Sequence, residues 1–199
     1  MRVALILCLF ATPAAAIAPS RLAQAAQDQI GVTTTYDPAY VGLDFPGGDV
    51  PLDRGVCTDL VIRALRDAYG IDLQLAVNRD MTADFAAYPP LWGLTKPDRN
   101  IDHRRVPNIA TLLTHVGAGL PLTADPTPYL PGDLVTWALP GNLPHMGMVS
   151  QARSADGTPL ILHNMGPGAR EEDILFAYPI TGHYRIGKDA ARKLRVLGS

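Results

Sequence analysis

The stretch Gly55-Val56-Cys57-Thr58-Asp59-Leu60-Val61-Ile62-Arg63-Ala64-Leu65-Arg66-Asp67-Ala68-Tyr69-Gly70 decides the first half of the fold. Cys57, Leu60, Val61, Ala64, Leu65 and Ala68 recur at steps of three and four, which draws one apolar stripe along an α-helix. Asp59, Arg63, Arg66 and Asp67 take the other side, and Gly70 supplies the stop. The pattern predicts a packed amphipathic helix with Cys57 in its first turn, in line with the buried stripe. Gly55 ahead of it frees the backbone for a tight entry turn.

On the N-terminal side, Ser20 to Ile30 reads as a short helix capped by Ser20 and stopped by Gly31. Thr33 to Gly55 reads as irregular chain, because Tyr36-Asp37-Pro38, Pro46-Gly47-Gly48-Asp49 and Pro51 all signal turns. On the C-terminal side, Asn78 to Tyr88 is expected to be a helix capped by Asn78 and stopped by Pro89-Pro90. Pro107 to Val116 is expected to be another, with Gly117 past its end. After Pro121 the pattern changes to short apolar runs between turn signals: Asp133 to Leu139, His145 to Gln151, Pro159 to Asn164, Ile174 to Tyr178 and His183 to Ile186. These read as strands of an antiparallel sheet, with Asp156-Gly157 as a hairpin turn. The basic tail, Lys188 to Ser199, reads as a frayed helix. Helices followed by a sheet, with no repeat or internal linker, give one α+β domain over residues 19–199.

Of 199 residues, 47% are apolar and 18% charged, which fits an ordinary globular domain. Lys and Arg total 17 against 19 for Asp and Glu, so no basic excess points to nucleic acid. The first residues read differently from the rest. Arg2, the apolar run Val3 to Phe10, and Ala14-Ala15-Ala16 or Ala16-Ile17-Ala18 form the pattern of a secretory signal peptide, residues 1–18. The expected location is therefore periplasmic or secreted, with no membrane span once the signal is removed. Cys8 falls inside that run and would be lost with it, so Cys57 becomes the sole thiol of an exported chain and no internal disulfide can form. Such a thiol is inertly buried, paired between chains, or kept for its reactivity.

A thiol attacks as thiolate, and a free one has a pKa of about 8.5. A helix start, whose N–H groups favour negative charge, is expected to lower that value, and a nearby imidazolium would lower it further. Of the five histidines, His115 lies late in a helix and fits a structural or solvent-facing role better. His145 opens a strand directly after the turn Pro140-Gly141-Asn142-Leu143-Pro144, so it stands at the sheet rim, where it can face a helix terminus. His163 closes the next strand, and the intervening hairpin brings the two to one end of neighbouring strands. Asn164 points to the opposite sheet face from His163, so only one of the two can orient His145, and strand parity alone does not choose.

Gly55-Val56-Cys57-Thr58-Asp59, Pro131-Gly132-Asp133-Leu134-Val135-Thr136-Trp137, His145-Met146-Gly147-Met148-Val149 and His163-Asn164 resemble the NlpC-type papain-like cell-wall hydrolases. More closely, the chain is similar to a bacterial family known as domain of unknown function 1287. That likeness is carried by Tyr36-Asp37-Pro38, Gly48-Asp49-Val50-Pro51, Asp98 to Arg105 and Gly182-His183-Tyr184-Arg185. The wider resemblance implies a papain-like (NlpC-type) α+β fold with Cys57 as nucleophile, His145 as general base and His163, or Asn164 in its place, as the orienting group. It implies an amidase or peptidase, with peptidoglycan stem peptides as the expected substrate; the chain is expected to be a monomer, and no cofactor or metal is expected. The chain departs from the wider pattern in having Val56-Cys57-Thr58 where Asp-Cys-Ser is frequent, and in a long insertion between Tyr69 and Leu120.

That insertion holds the polar run Lys96 to Arg105 after Leu91-Trp92-Gly93. Trp92, Arg104 and Arg105 are expected to form a wall recognising a substrate carboxylate and an apolar face, since paired guanidinium groups suit carboxylates. A solvated loop held by internal salt bridges is the competing reading. Asp98, Asn100 and Asp102 copy the start of a calcium loop, but His103 replaces its glycine and Ile109 its closing glutamate. His103 and His183 lack zinc-ligand spacing. Two other functions stay open: a non-catalytic binding or scaffold module with Cys57 merely buried, and acyl transfer by the same residues.

Overall fold

The structure is a computed structural model that describes residues 20–199; the signal segment read from the sequence lies outside the described residues. Helix α1 (Arg21–Gln27) leads, with the Ser20 hydroxyl accepting from the Ala23 N–H at its start. The irregular segment that follows contains only the short parallel pair β1 (Thr35–Tyr36) and β2 (Arg54–Gly55). Then come α2 (Cys57–Tyr69), α3 (Leu73–Ala83) and α4 (Val106–His115). Strands β3 (Gly119–Leu120), β4 (Leu134–Leu139), β5 (Leu143–Arg153), β6 (Pro159–Asn164), β7 (Ala169–Glu172) and β8 (Ile180–Tyr184) form one antiparallel sheet in the order β3-β8-β4-β5-β6-β7. Helix α5 (Lys188–Leu197) closes the chain. The expected α+β class, helices first and antiparallel sheet second, is what the described residues adopt.

Three stretches differ from expectation, one of them the strand read over His183 to Ile186, which is β8 and runs from Ile180 to Tyr184. The second long helix begins at Leu73, not Asn78, because Asp72 accepts from the N–H groups of Gln74 and Leu75 and caps it directly after Gly70 has ended α2 in the left-handed conformation. Ile174 to Tyr178 is a turn rather than a strand. Its apolar side chains pack on the sheet face around Trp137, and the Leu175 carbonyl accepts from Trp137 Nε1. The edge strand is instead the charged Ala169-Arg170-Glu171-Glu172, whose charges suit a strand with one open side.

The sheet separates two apolar layers. Leu134, Met146, Met148 and Leu162 point to the helices and join Cys57, Leu60, Val61 and Leu65 in the main core. Val135, Trp137, Val149 and Ile161 alternate to the other face, under Tyr129 and Leu175. Helix α2 lies between this core and the loops, and the first half of its charged side, Asp59 and Arg63, is buried too. Arg63, 4% exposed, grips Asp49 through two bonds of 3.0 Å and donates to the Val50 and Arg54 carbonyls. That grip holds the long irregular segment against the helix that carries Cys57.

Candidate active site

Cys57 is the first residue of α2 because Val56 is extended and Asp59 turns back to accept from the Val56 N–H at 2.6 Å. Gly55 serves this turn through space rather than dihedral freedom: a Cβ there would come within 2.9 Å of Asp59 Oδ2. The Asn164 side-chain N–H binds the Gly55 carbonyl at 3.0 Å, tying the entry of α2 to the end of β6. Asn164 is thus occupied on the helix side of the sheet and does not orient His145.

His145 and His163 lie on the other face, with Trp137 beside His145 at 5.9 Å between ring centroids. Gly147 pairs with His163 across the β5–β6 ladder. A Cβ on Gly147 would approach Ile161 to 2.8 Å and His163 Cβ to 3.1 Å, so glycine allows β6 to close in. His145 Nε2 then lies 3.1 Å from His163 Nδ1, and His163 Nε2 lies 2.9 Å from Glu172 Oε2. The carboxylate can only accept, so His163 carries its proton on Nε2, its Nδ1 accepts from His145 Nε2–H, and His145 Nδ1 is left with a free lone pair. The direction of the chain from Glu172 outward therefore leaves His145 a base.

Burial, with His163 alongside, depresses the His145 pKa to about 3, so the ring is neutral at physiological pH. His163 is lowered by burial as well, with Glu172 pulling the other way. Cys57, 5% exposed, is pushed up to about 11 by burial and by the Asp59 carboxylate, against the lowering effect of the Met146, Thr58 and Cys57 N–H groups. The helix-start groups act in the expected direction, but loss of solvent outweighs them, so the expectation of a depressed thiol pKa is overturned. The sulfur meets β5 at the Met146 N–H, one residue beyond His145, and no hydrogen bond joins the thiol to His145 among the described residues.

Cys57 opens onto a cavity of about 210 Å³ that Tyr36, Trp92, Arg104, Arg105 and Pro144 help to line. The wall expected from the insertion thus does face the cysteine, but its two arginines differ. Arg104 Nε and Nη2 each lie 2.9 Å from Asp59, both side chains no more than 3% exposed, and its other donors go to the Asp37 and Ala39 carbonyls. With Thr58 Oγ1 donating to the Arg104 carbonyl at 3.0 Å, Arg104 rivets the insertion to the start of α2. Arg104 therefore has its donors engaged inside the protein and does not form the expected paired wall with Arg105. Arg105 gives one nitrogen to Asp102 at 2.8 Å and stacks over Trp92 at 4.0 Å.

Glu172 is the member that sequence reading missed. It stands in a strand with no apolar alternation, and only the β6–β7 register, which sets His163 opposite Arg170, brings its carboxylate to the imidazole. A relative from Escherichia coli (strain K12), "Uncharacterized protein YijF", is 52% identical over 164 residues, covering 82% of this chain and 80% of its own. The family described as "Domain of unknown function (DUF1287)" matches residues 23–186, nearly all of the described chain, and the protein belongs to that family.

Proposed function

We propose that the protein is an exported cysteine amide hydrolase with papain-like, NlpC-type architecture, cleaving amide bonds of peptidoglycan stem peptides. The reading rests on one observation above all. The directed chain Glu172–His163–His145 leaves His145 Nδ1 unprotonated, and the only thiol among the described residues, at the mouth of α2, meets the same strand at the next residue, Met146. Its compartment follows from the signal-like segment and its substrate class from the family resemblance.

With the thiol held neutral, attack is coupled to proton transfer. As the sulfur bonds to the substrate carbonyl carbon, His145 Nδ1 takes the Sγ proton; the new imidazolium gives that proton to the departing amine as the C–N bond breaks. Water then adds to the thioester with His145 again as base, releasing the carboxylic acid and restoring the thiol. N–H groups at the start of α2 are suited to stabilise the tetrahedral oxyanion. In the free protein the two reacting groups are not hydrogen bonded: the sulfur meets Met146 from the helix side while the His145 ring packs beside Trp137, so the mechanism requires substrate binding to bring them together.

The buried neutral thiol also suits a second reading, a binding module in which the same cavity holds a ligand without cutting it. Digestion of isolated muropeptides by the protein and by Cys57→Ala, followed by mass spectrometry, separates the two. A hydrolase yields fragments that together gain one water, and only with Cys57 present; a module yields none. An added amine that appears in the products instead of water would indicate acyl transfer.

A further inference from the structure

Behind the Trp92–Arg105 stack lies a second cavity, of about 130 Å³, walled by Met81, Phe85, Tyr88 and Leu94. Trp92 and Arg105 line both this cavity and the one at Cys57, so the stack is a partition between neighbouring chambers. The chemistry of the rear chamber is apolar with three polar features, Asn108, Arg105 and the Asp102 carboxylate that Arg105 already pairs. Asn108 lines it, is 1% exposed, donates to Asp102, and leaves its Oδ1 without a partner. Arg105 has only one nitrogen engaged, by Asp102. An apolar cavity of about 150 Å³ accommodates benzene, so this chamber is of a size to hold one branched aliphatic side chain or a small ring. A cation at the mouth of such a chamber favours a carboxylate close to that side chain.

We infer that the rear chamber is a specificity pocket for a single apolar side chain borne by the ligand that reaches Cys57, with Arg105 pairing a carboxylate at the partition and Asn108 Oδ1 taking a donor. This deepens the hydrolase reading by naming the substrate class, an acylated apolar residue next to a carboxylate, but the pocket can be tested without any turnover.

The test uses the Cys57→Ala protein, with N-acetyl-leucine, N-acetyl-glycine and N-acetyl-leucinamide as probes. Binding is followed by titration calorimetry and by the fluorescence of Trp92; the chain's other tryptophan, Trp137, is buried on the far sheet face. N-acetyl-leucine is expected to bind about ten-fold or more tighter than N-acetyl-glycine, the usual range for filling an apolar pocket. Ala86→Trp, at an exposed position on the chamber lining, should abolish that preference. Arg105→Gln should erase the preference for carboxylate over carboxamide and keep that for leucine over glycine. Equal binding of the leucine and glycine derivatives, or binding of neither, overturns the inference even if Ala86→Trp fails to fold. A leucine preference without hydrolysis by the wild type removes the hydrolase reading and leaves the pocket; hydrolysis without that preference does the reverse.

Discussion

Glu172 Oε2 lies 2.9 Å from His163 Nε2, and that contact sets the proton positions of two histidines in succession. Without the carboxylate, His163 can take its other tautomer, present an N–H to His145, and leave the base lone pair pointing away from the cysteine. Glu172→Ala is therefore expected to lower kcat for muropeptide cleavage about ten-fold or more with KM little changed. Glu172→Gln, which retains an acceptor, should recover part of the loss. Steady-state kinetics on both variants, with thermal melts superimposable on the parent, checks this; a change confined to KM would deny the positioning role.

Arg104 and Arg105 are neighbours with opposite expected phenotypes. Removing one partner of a buried ion pair strands the other charge, so Arg104→Ala should destabilise the fold by about 3–5 kcal/mol in urea titrations. Arg105→Ala should raise KM and destabilise the fold less than Arg104→Ala, since its guanidinium keeps some solvent contact and makes a single bond, to Asp102. Equal destabilisation by the two, or an unchanged KM for Arg105→Ala, would remove Arg105 from recognition.

Acid should unfold the protein earlier than its carboxylates alone would. Burial holds His103 down to about 4 and His145 to about 3, and lowers His163, against 6.5 for an ordinary histidine. Below pH 6.5 the unfolded chain takes up these protons and the folded one does not. Their stabilising effect is thus complete above 6.5 and is lost as pH falls toward 4 and then 3. For His103 and His145 the loss should be about 1–2 kcal/mol each between pH 7 and pH 5. Urea midpoints at the two values measure the fall, which should be smaller in His103→Gln; an identical fall in that variant would contradict the assignment.

In the ligand-free protein, Cys57 should be alkylated slowly at pH 7 by iodoacetamide, with a rate that climbs toward a midpoint near 11. Rapid labelling with a midpoint below 8 would mean a stable thiolate and would replace coupled proton transfer with attack by a pre-formed anion. His145→Ala should leave the profile almost unmoved, because the neutral ring gives the thiolate no charge to lean on.

Much of this site was legible as pattern. Ser20, Cys57 and Gly70 announced the ends of α1 and α2 through capping chemistry, and the run before Asp156-Gly157 set His145 and His163 on adjoining strands. The choice between His163 and Asn164 needed the register of β5 on β6, which periodicity does not carry. Asp59 and Arg104 stand 45 residues apart in the chain, so their pairing is a tertiary event that no local rule announces. Asn78 was a sound cap in isolation and lost to Asp72, which sits directly at a helix–helix turn. Ile174 to Tyr178 has strand composition but covers Trp137, because apolar content reports burial and not hydrogen bonding. The thiol pKa differs from its sequence expectation for a related reason: position in a helix is local, whereas desolvation depends on everything packed above it.

The most direct measurement is intact-protein mass spectrometry of the protein quenched in acid during digestion of muropeptides, with the cleaved pool analysed from the same sample. A transient adduct of acyl mass on the Cys57 peptide is expected alongside fragments that gain one water. Both signals should vanish in Cys57→Ala and fall sharply in His145→Ala. Cleavage that persists in Cys57→Ala, or a wild-type protein that neither cleaves nor acquires an adduct, would contradict nucleophilic catalysis by this cysteine.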